Sequence, residues 1–165
     1  MKKPNTLITI SGDLLGEPEK AIAWLAVHSI HNYDVACTGG GKQTNRVFKK
    51  RGFKIRFGPF GRITDSPEEK QCAIDTQEND CKIFQSQLAK NGIFMEVIIP
   101  VLKIGHVQCP VNNDKMLFAA YNGYDQLIRL TLKNRVKKKR FWLKMIFEVF
   151  EAEASDIRWL KKIWF

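Results

Sequence analysis

The chain has 165 residues, of which 44% are hydrophobic, and its formal net charge is +10 at pH 7. This length is typical of one domain, and the apolar fraction is too high for a disordered chain. Because the longest apolar runs, such as Val97 to Leu102, are too short to span a bilayer and the basic start Met1-Lys-Lys lacks a signal-peptide hydrophobic region, we expect a cytoplasmic domain without a transmembrane segment.

The excess positive charge lies in two stretches, Lys42 to Arg56 and Lys133 to Lys144. Such a balance favours anionic partners, among them nucleotides, acidic metabolites and nucleic acid. The alternative is an ordinary solvated basic surface. No aromatic RNA-binding motif accompanies the basic stretches, so a nucleic acid is the less favoured partner and a small acidic metabolite the more favoured one.

The cysteines and histidines do not indicate a metal site. The four cysteines show no CxxC spacing, and the three histidines have no carboxylate or cysteine partner at ligand spacing. We therefore expect that these residues do not bind a metal ion. The cysteines should be reduced thiols, as is typical of a cytoplasmic protein. The cysteines are Cys37, Cys72, Cys81 and Cys109.

The first third of the chain alternates between strand and helix patterns. Leu7 to Ile10 predicts a strand that ends in a turn, and Pro18 marks the start of the first helix. Val35 to Cys37 predicts a second strand, followed by a helix over Lys42 to Lys50. This alternation predicts a mainly parallel sheet with helices on both faces and a ligand site at the carboxyl ends of the strands.

A long helix is predicted next. Lys54 to Phe57 reads as a short extended segment, and a loop follows over Gly58 to Asp65. Ser66-Pro67-Glu68-Glu69 combines a helix cap, a proline at the first position and a glutamate at the third. The helical pattern extends to Lys90, with a possible break at Asn79-Asp80.

The remaining elements follow in order. A strand is predicted over Ile93 to Leu102, a loop over His106 to Pro110, a helix from Asn113 and a buried strand over Gln126 to Leu132. From Arg140 onward, large apolar residues recur at helical spacing. We expect this stripe to pack against the sheet or against a second subunit, which makes a homodimer possible. Its members are Trp142, Met145, Ile146, Val149, Phe150, Ile157, Leu160 and Trp164.

A triple glycine, Gly39 to Gly41, follows the second predicted strand and precedes the second predicted helix. Glycine lets the backbone turn sharply and leaves its amide N–H groups uncovered. A helix start adds further free N–H groups and the positive end of the helix dipole. The stretch therefore predicts a phosphate or carboxylate site, with a plain strand–turn–helix connection as the alternative.

Four segments carry a family resemblance, in order along the chain: Thr38-Gly-Gly-Gly-Lys-Gln-Thr-Asn45, Phe57-Gly-Pro-Phe-Gly-Arg-Ile-Thr-Asp65, Val111-Asn-Asn-Asp114 and Leu127-Ile-Arg-Leu-Thr131. They resemble motifs of the amino acid kinase superfamily, and most closely those of the acetylglutamate kinases. The second segment is similar to the family's Phe-x-x-Gly-x-Arg-x-Thr-Asp. The ordered matches cover residues 7–65 and 98–136.

The resemblance implies a three-layer α/β sandwich with a mainly parallel central sheet. Residues 1–165 would form a single amino acid kinase-like domain that lacks most of the family's C-terminal nucleotide-binding part. It implies ATP-dependent phosphorylation of the carboxylate of a small acidic acylamino acid, as in arginine biosynthesis, with ATP and Mg²⁺ as cofactors.

The resemblance also implies roles for individual residues. Gly40 and Asp114 would be catalytic, with Asp114 orienting the catalytic lysines. Substrate would be bound by Gly39, Gly40, Gly41, Arg62 and Asn112, and nucleotide by Gly12, Lys42 and Thr131. Each role has a simpler alternative: a surface salt bridge for Arg62, a helix cap for Asp114 and a solvated side chain for Lys42.

Five positions depart from the family pattern, and at two of them Ser11 and Arg135 stand where the family has glycine. Thr9 stands where the family has a first-strand lysine, Pro110 replaces the leading asparagine of Asn-Val-Asn-Ala-Asp, and Leu132 replaces an acidic residue of the nucleotide segment. Because a threonine hydroxyl carries no positive charge, we expect weak or absent kinase activity. The alternative function is a non-catalytic relative that acts as a metabolite-binding or regulatory module, or that binds nucleic acid through its basic surface.

Overall fold

A computed structural model describes residues 5–28, 34–58, 61–133, 148–151 and 156–160, the last two segments as backbone. The strands are β1 (Thr6–Ile10), β2 (Val35–Thr38), β3 (Arg56–Gly58), β4 (Gly61–Ile63), β5 (Glu96–Ile98), β6 (Val101–Ile104), β7 (Val107–Pro110), β8 (Gln126–Leu130), β9 (Glu148–Glu151) and β10 (Asp156–Leu160). The helices are α1 (Pro18–Val27), α2 (Gly41–Arg51), α3 (Pro67–Lys90) and α4 (Asn113–Ala119), and a short 3₁₀ helix spans Leu14–Gly16.

The central sheet has the strand order β5-β2-β1-β8-β10-β9. The first four strands are parallel to one another, whereas β10 and β9 join antiparallel beyond β8. β1 lies between β2 and β8, with Thr9 in register with Cys37 on one side and with Arg129 on the other. The residues that follow β1 and β8 therefore lie side by side at the carboxyl edge of the sheet.

Helices cover both faces of the parallel strands. One face carries Ile8 and Ile10, which share a buried cluster with Leu25 of α1 and Phe84 of α3. On the other face, Leu117 of α4 packs with residues of β1, β2 and β8. The prediction of an α/β sandwich with a mainly parallel sheet is confirmed at this level of description, and the amino acid kinase assignment stays a prediction.

Helix α3 is continuous, so the predicted break at Asn79-Asp80 is wrong. Its start matches the sequence pattern, because the Ser66 hydroxyl accepts a hydrogen bond from the Glu69 amide at 3.1 Å and a Glu69 oxygen accepts one from the Asp65 amide at 2.6 Å. Of the helices in the described ranges, none combines the length and apolar character that a bilayer crossing requires.

Three predicted segments in the middle of the chain differ from the structure. The single strand expected over Ile93 to Leu102 is two strands, because Pro100, which has no N–H to donate, separates β5 from β6. The loop expected over His106 to Pro110 is mostly β7, which pairs with β6 through a turn in which Gly105 has a φ of 59°. Part of the loop expected over Gly58 to Asp65 is likewise a strand, β4, which pairs with β3.

The helical stripe expected from Arg140 onward is wrong where the structure describes it. Residues 148–151 and 156–160 are the strands β9 and β10, and β10 pairs with β8. Helical spacing gave the wrong result because the free edge of β8 offers backbone partners, and β-branched and aromatic residues also suit strands. The other stripe positions, 142–147 and 161–165, lie outside the described residues.

Candidate anion-binding site

The order in which the chain adds strands to the sheet reverses between β1 and β8. From β1 it proceeds through α1 to β2 and then to β5, and it afterwards returns to pair β8 with the opposite side of β1. Ligands of open α/β sheets bind at the carboxyl ends of the strands at such a point. Ser11 follows β1 and Thr131 follows β8, and the Ser11 amide donates a hydrogen bond to the Leu130 carbonyl at 3.0 Å.

A cavity of about 430 Å³ opens at this edge, which is within the usual size of a small-molecule site. Seven parts of the chain line it: the end of β1, the glycine turn with the start of α2, the β3–β4 hairpin, Gln77 of α3, Pro100 between β5 and β6, the start of α4 with the two residues before it, and the end of β8. The cavity thus lies where the topology predicts a ligand site.

The glycine turn packs closely against neighbouring backbone. A Cβ at Gly12 would overlap the carbonyl oxygen of Gly39, and one at Gly40 would overlap the side chain of Gln77 on α3. Gly40 caps α2 without a side-chain hydrogen bond, and α2 begins at Gly41 on the cavity wall. The N–H groups and positive dipole at this helix start therefore favour a negative group in the cavity.

Arg62, on β4, lies half-buried beside the start of α2. One of its terminal nitrogens, Nη2, donates to Asn45 Oδ1 at 2.7 Å and to the Gly41 carbonyl at 3.4 Å. The guanidinium stacks over the rings of Phe48 and Phe57, at 4.6 and 4.8 Å from the ring centroids. Burial lowers the pKa of Arg62 below its ordinary value.

The alternative prediction for Arg62 was a surface salt bridge. None of the ion pairs among the described residues includes Arg62. Asn45 and two aromatic rings hold the guanidinium in place, and its second terminal nitrogen, Nη1, is buried without a hydrogen-bond partner among the described residues. A fixed guanidinium with a free N–H face is suited to a carboxylate or phosphate.

A second arginine, Arg129, reaches the cavity from the middle of β8. It is 2% exposed, and its Nη2 lies 2.9 Å from Oδ1 of Asp114 at the start of α4. Its Nε and Nη1 have no hydrogen-bond partner in the part of the chain that the structure describes. Arg129 therefore brings a buried positive charge to the cavity, and Asp114 contacts one end of its guanidinium.

The two asparagines at the start of α4 have different roles. Asn112 is the helix cap, because its Oδ1 accepts a hydrogen bond from the Asp114 amide at 2.8 Å. The cap alternative for Asp114 is thus wrong. Asn113 is buried, and its Nδ2 donates to the Ile10 carbonyl at 2.8 Å, while its Oδ1 has no partner among the described residues.

Seven buried polar atoms without a hydrogen-bond partner among the described residues belong to residues that line this one cavity. They are Ser11 Oγ, Thr44 Oγ1, Arg62 Nη1, Asn113 Oδ1, Arg129 Nε, Arg129 Nη1 and Thr131 Oγ1. Buried polar atoms in proteins nearly always have partners, because an unpaired one costs about 1–3 kcal/mol. Six of the seven are N–H or hydroxyl groups, so the arrangement is suited to a ligand that is rich in acceptor oxygens.

The structure brings most of the predicted site residues together. Gly12, Gly39, Gly40, Gly41, Lys42, Arg62, Asn112 and Thr131 line the cavity. Lys42 is exposed, and Asp114 does not line the cavity but contacts Arg129, which does. The structure places these residues and leaves their functional roles as predictions.

Among the lining residues that have an unpaired buried polar atom, sequence reasoning missed four, which are Ser11, Thr44, Asn113 and Arg129. A signal for Arg129 was present, because a charged residue interrupts the apolar strand pattern Leu127-Ile-Arg-Leu130. Charged residues are rarely buried without a partner or a function, and this one lies in a strand with apolar neighbours on both sides. The remaining three are ordinary polar residues with no sequence signal of their own.

The lining suits phosphate and carboxylate oxygens better than a metal ion. Within the described ranges, no group of three or more histidine, cysteine, aspartate or glutamate residues could hold a metal ion. Asp13 adds a carboxylate to the lining. Mg²⁺ is commonly bound by one or two carboxylates together with substrate phosphates, so these residues fit a nucleotide-borne Mg²⁺ and not a dedicated metal cage.

Comparison with known proteins adds no assignment: no protein-family model matches this chain, and neither does any curated protein.

Proposed function

We propose that this protein is an acetylglutamate-kinase-like phosphotransferase that binds a small acidic acylamino acid in the cavity and phosphorylates its carboxylate with ATP. The family part of the proposal rests on the four ordered sequence motifs. The site part rests on the cavity at the carboxyl edge of the parallel strands, where the glycine turn, Arg62 and Arg129 meet.

The single observation that carries the proposal is the set of unpaired buried N–H and hydroxyl groups around this cavity. Two buried or half-buried arginines at one cavity cost desolvation energy that solvent-exposed arginines do not. An anionic ligand with several acceptor oxygens offsets this cost by pairing with the guanidinium N–H groups. A neutral or cationic ligand would leave the Arg62 charge without an anionic partner among the described residues, because only Arg129 has one, Asp114.

Each part of the proposed substrate has a matching group. The unpaired Nη1 of Arg62 can donate to a carboxylate oxygen, and the Asn113 Oδ1 can accept a hydrogen bond from an acylamide N–H. The amides of the glycine turn and the first turn of α2 would bind the transferring group.

The proposed reaction balances as an in-line displacement. A carboxylate oxygen of the substrate forms a bond to the γ-phosphorus of ATP, the bond from that phosphorus to the β,γ-bridging oxygen breaks, and ADP leaves. The chain's part is to hold the two anions together and to offset the charge on the equatorial oxygens. We expect slow turnover, below about 1 s⁻¹, because β1 supplies Thr9 where a cation is expected.

A second candidate function is a non-catalytic protein that binds the same acidic metabolite. Thr9 favours it: the side chain is fully buried, and its hydroxyl donates to the Ile128 carbonyl at 3.4 Å. The first strand therefore offers no positive charge to a phosphoryl group. A cytoplasmic location belongs to both candidates, since all four cysteines are free thiols.

Calorimetric titration with N-acetylglutamate and with ATP–Mg²⁺, separately, tests the proposal. N-acetylglutamine is the matched control ligand, because it lacks only the side-chain carboxylate. Binding of N-acetylglutamate and ATP–Mg²⁺ with ADP formation supports the kinase, and binding of N-acetylglutamate alone supports the second candidate. If N-acetylglutamine binds as tightly as N-acetylglutamate, or if neither ligand binds, both candidates are wrong.

A further inference from the structure

Thr9 and Arg129 occupy paired positions on adjacent parallel strands. Partner residues in such a pair point to the same face of the sheet, at a strand spacing of roughly 4.8 Å. Leu7 and Leu127, two residues earlier in the same register, share the buried cluster that α4 covers. Arg129 therefore projects to the α4 face beside Thr9, and its contact with Asp114 of α4 agrees with this direction.

Two of the three guanidinium nitrogens of Arg129 have no hydrogen-bond partner among the described residues. Asp114 contacts Nη2, while Nε and Nη1 are buried and have no hydrogen-bond partner among the described residues. A buried arginine is stable only when its charge is paired and its N–H groups are bonded. The side chain lines the cavity, so its free N–H groups are available to a ligand there.

Two hydroxyl groups extend this donor set. Ser11 and Thr131 directly follow β1 and β8, the hydroxyls of both are buried without a partner among the described residues, and both residues line the cavity with Arg129. A guanidinium edge with two adjacent hydroxyls presents several donors to one group. That arrangement is suited to a phosphoryl or carboxylate group with two or three acceptor oxygens.

We propose that Arg129 is the cation that binds the reacting anionic group of the ligand, one strand away from the position where Thr9 provides no charge. This inference rests on the proposed function in that it requires an anionic ligand in the cavity. Asp114 is then a positioning residue, because it acts by fixing the Arg129 guanidinium. The buried Arg129–Asp114 pair then contributes to ligand binding as well as to the packing of α4 on the sheet.

The test compares full-length variants with two probes, inorganic tripolyphosphate and N-acetylglutamate. Arg129→Met removes the charge, Arg129→Lys keeps the charge but removes the planar fork, and Thr9→Lys/Arg129→Met moves a cation to the adjacent strand. Arg46→Met is the matched control, because Arg46 is exposed on α2 and does not line the cavity. Dissociation constants come from calorimetry, and folding is checked by circular dichroism and the melting temperature.

We expect Arg46→Met to bind tripolyphosphate as the wild type does, and Arg129→Met to bind it at least about tenfold more weakly. Arg129→Lys should bind it several-fold more weakly, and the double variant should recover much of the lost affinity. A folded Arg129→Met or Arg129→Lys protein with the wild-type affinity would overturn the inference, as would a wild type that does not bind tripolyphosphate. If Arg129→Met does not fold, Arg129→Lys and the double variant decide.

The two proposals fail separately in this design. If the wild type forms no ADP or does not bind N-acetylglutamate, the proposed substrate and reaction are refuted. If tripolyphosphate binding still depends on Arg129 in that case, the role of Arg129 is supported. Conversely, N-acetylglutamate phosphorylation that is unchanged in folded Arg129→Met supports the proposed function and refutes the role of Arg129. A melting temperature that falls without any change in affinity shows that Arg129 has only a structural role.

Discussion

The Nη2 atom of Arg129 lies 2.9 Å from the Oδ1 atom of Asp114, and this contact joins the middle of β8 to the start of α4. The side chain of Arg129 is 3% exposed and that of Asp114 is 17% exposed, so solvent screens the pair weakly. Both elements contribute residues to the cavity lining, Arg129 from β8 and Asn113 from α4, so loss of the pair should affect both stability and binding.

Replacement of the carboxylate by an amide tests the stabilising part of this contact. We expect Asp114→Asn to lower the free energy of unfolding by about 3 kcal/mol, because it leaves a buried guanidinium without its counter-charge. Asp75→Asn, at an exposed position of α3, is the control and should change stability by less than about 0.5 kcal/mol. Urea denaturation measures both, and a loss below about 1 kcal/mol for Asp114→Asn would contradict the argument.

Arg62 provides a binding prediction. We expect Arg62→Ala to weaken N-acetylglutamate binding by at least about tenfold, because a hydrogen-bonded charge contributes about 1.5–3 kcal/mol. Arg62→Lys should be intermediate, since it keeps the charge but loses the fork and the stacking over Phe48. Calorimetry gives the affinities, and an unchanged affinity in a folded Arg62→Ala protein would exclude Arg62 from the binding site.

The close approach of two backbone segments can be tested with a pair of glycines. Gly12→Ala should destabilise the protein by about 1–3 kcal/mol, because the new Cβ would overlap the backbone of Gly39. Gly16→Ala adds the same methyl group where no atom lies within 4 Å, and it should change stability by less than about 1 kcal/mol. Thermal melting distinguishes them, and equal melting temperatures for the two variants would disprove the close packing of the turn.

Thiol labelling tests the burial of β2. Burial raises the pKa of the Cys37 thiol to about 12, so at pH 8 almost none of it is the reactive thiolate. Cys109 lies partly exposed in β7. We expect iodoacetamide at pH 8 to label Cys109 much faster than Cys37 in the folded protein, and all four cysteines after denaturation. Mass spectrometry of the peptides reads the result, and comparable native rates would contradict the buried strand.

The sequence was sufficient for the elements whose signals are local. The Ser66 cap and the stop of α2 at Gly52, which has a φ of 74°, depend on neighbouring residues alone. The alternation of strands and helices likewise predicted the parallel sheet and the edge of the sheet at which the cavity opens. These features could be read from the sequence because each depends on residues that are close in the chain.

Features that depend on distant partners could not be predicted in the same way. The strand β10 forms because β8 offers a free edge, and the apolar spacing of that segment alone indicated a helix. The role of Asp114 was ambiguous for the same reason, because its partner Arg129 comes from another element. The sequence located the glycine turn and Arg62, whereas the second arginine of the cavity, Arg129, joins the site through the pairing of β8 with β1.

The pairing of β1 with β8 also has a consequence for synthesis. Thr9 and Ile128, which are hydrogen-bonded, are 119 residues apart in the chain. During translation, β1 can pair with β2 soon after both have emerged, but its other edge stays open until most of the described chain has been made. The cavity is therefore completed late, and until then the nascent chain exposes the unpaired backbone N–H and C=O groups of one edge of β1.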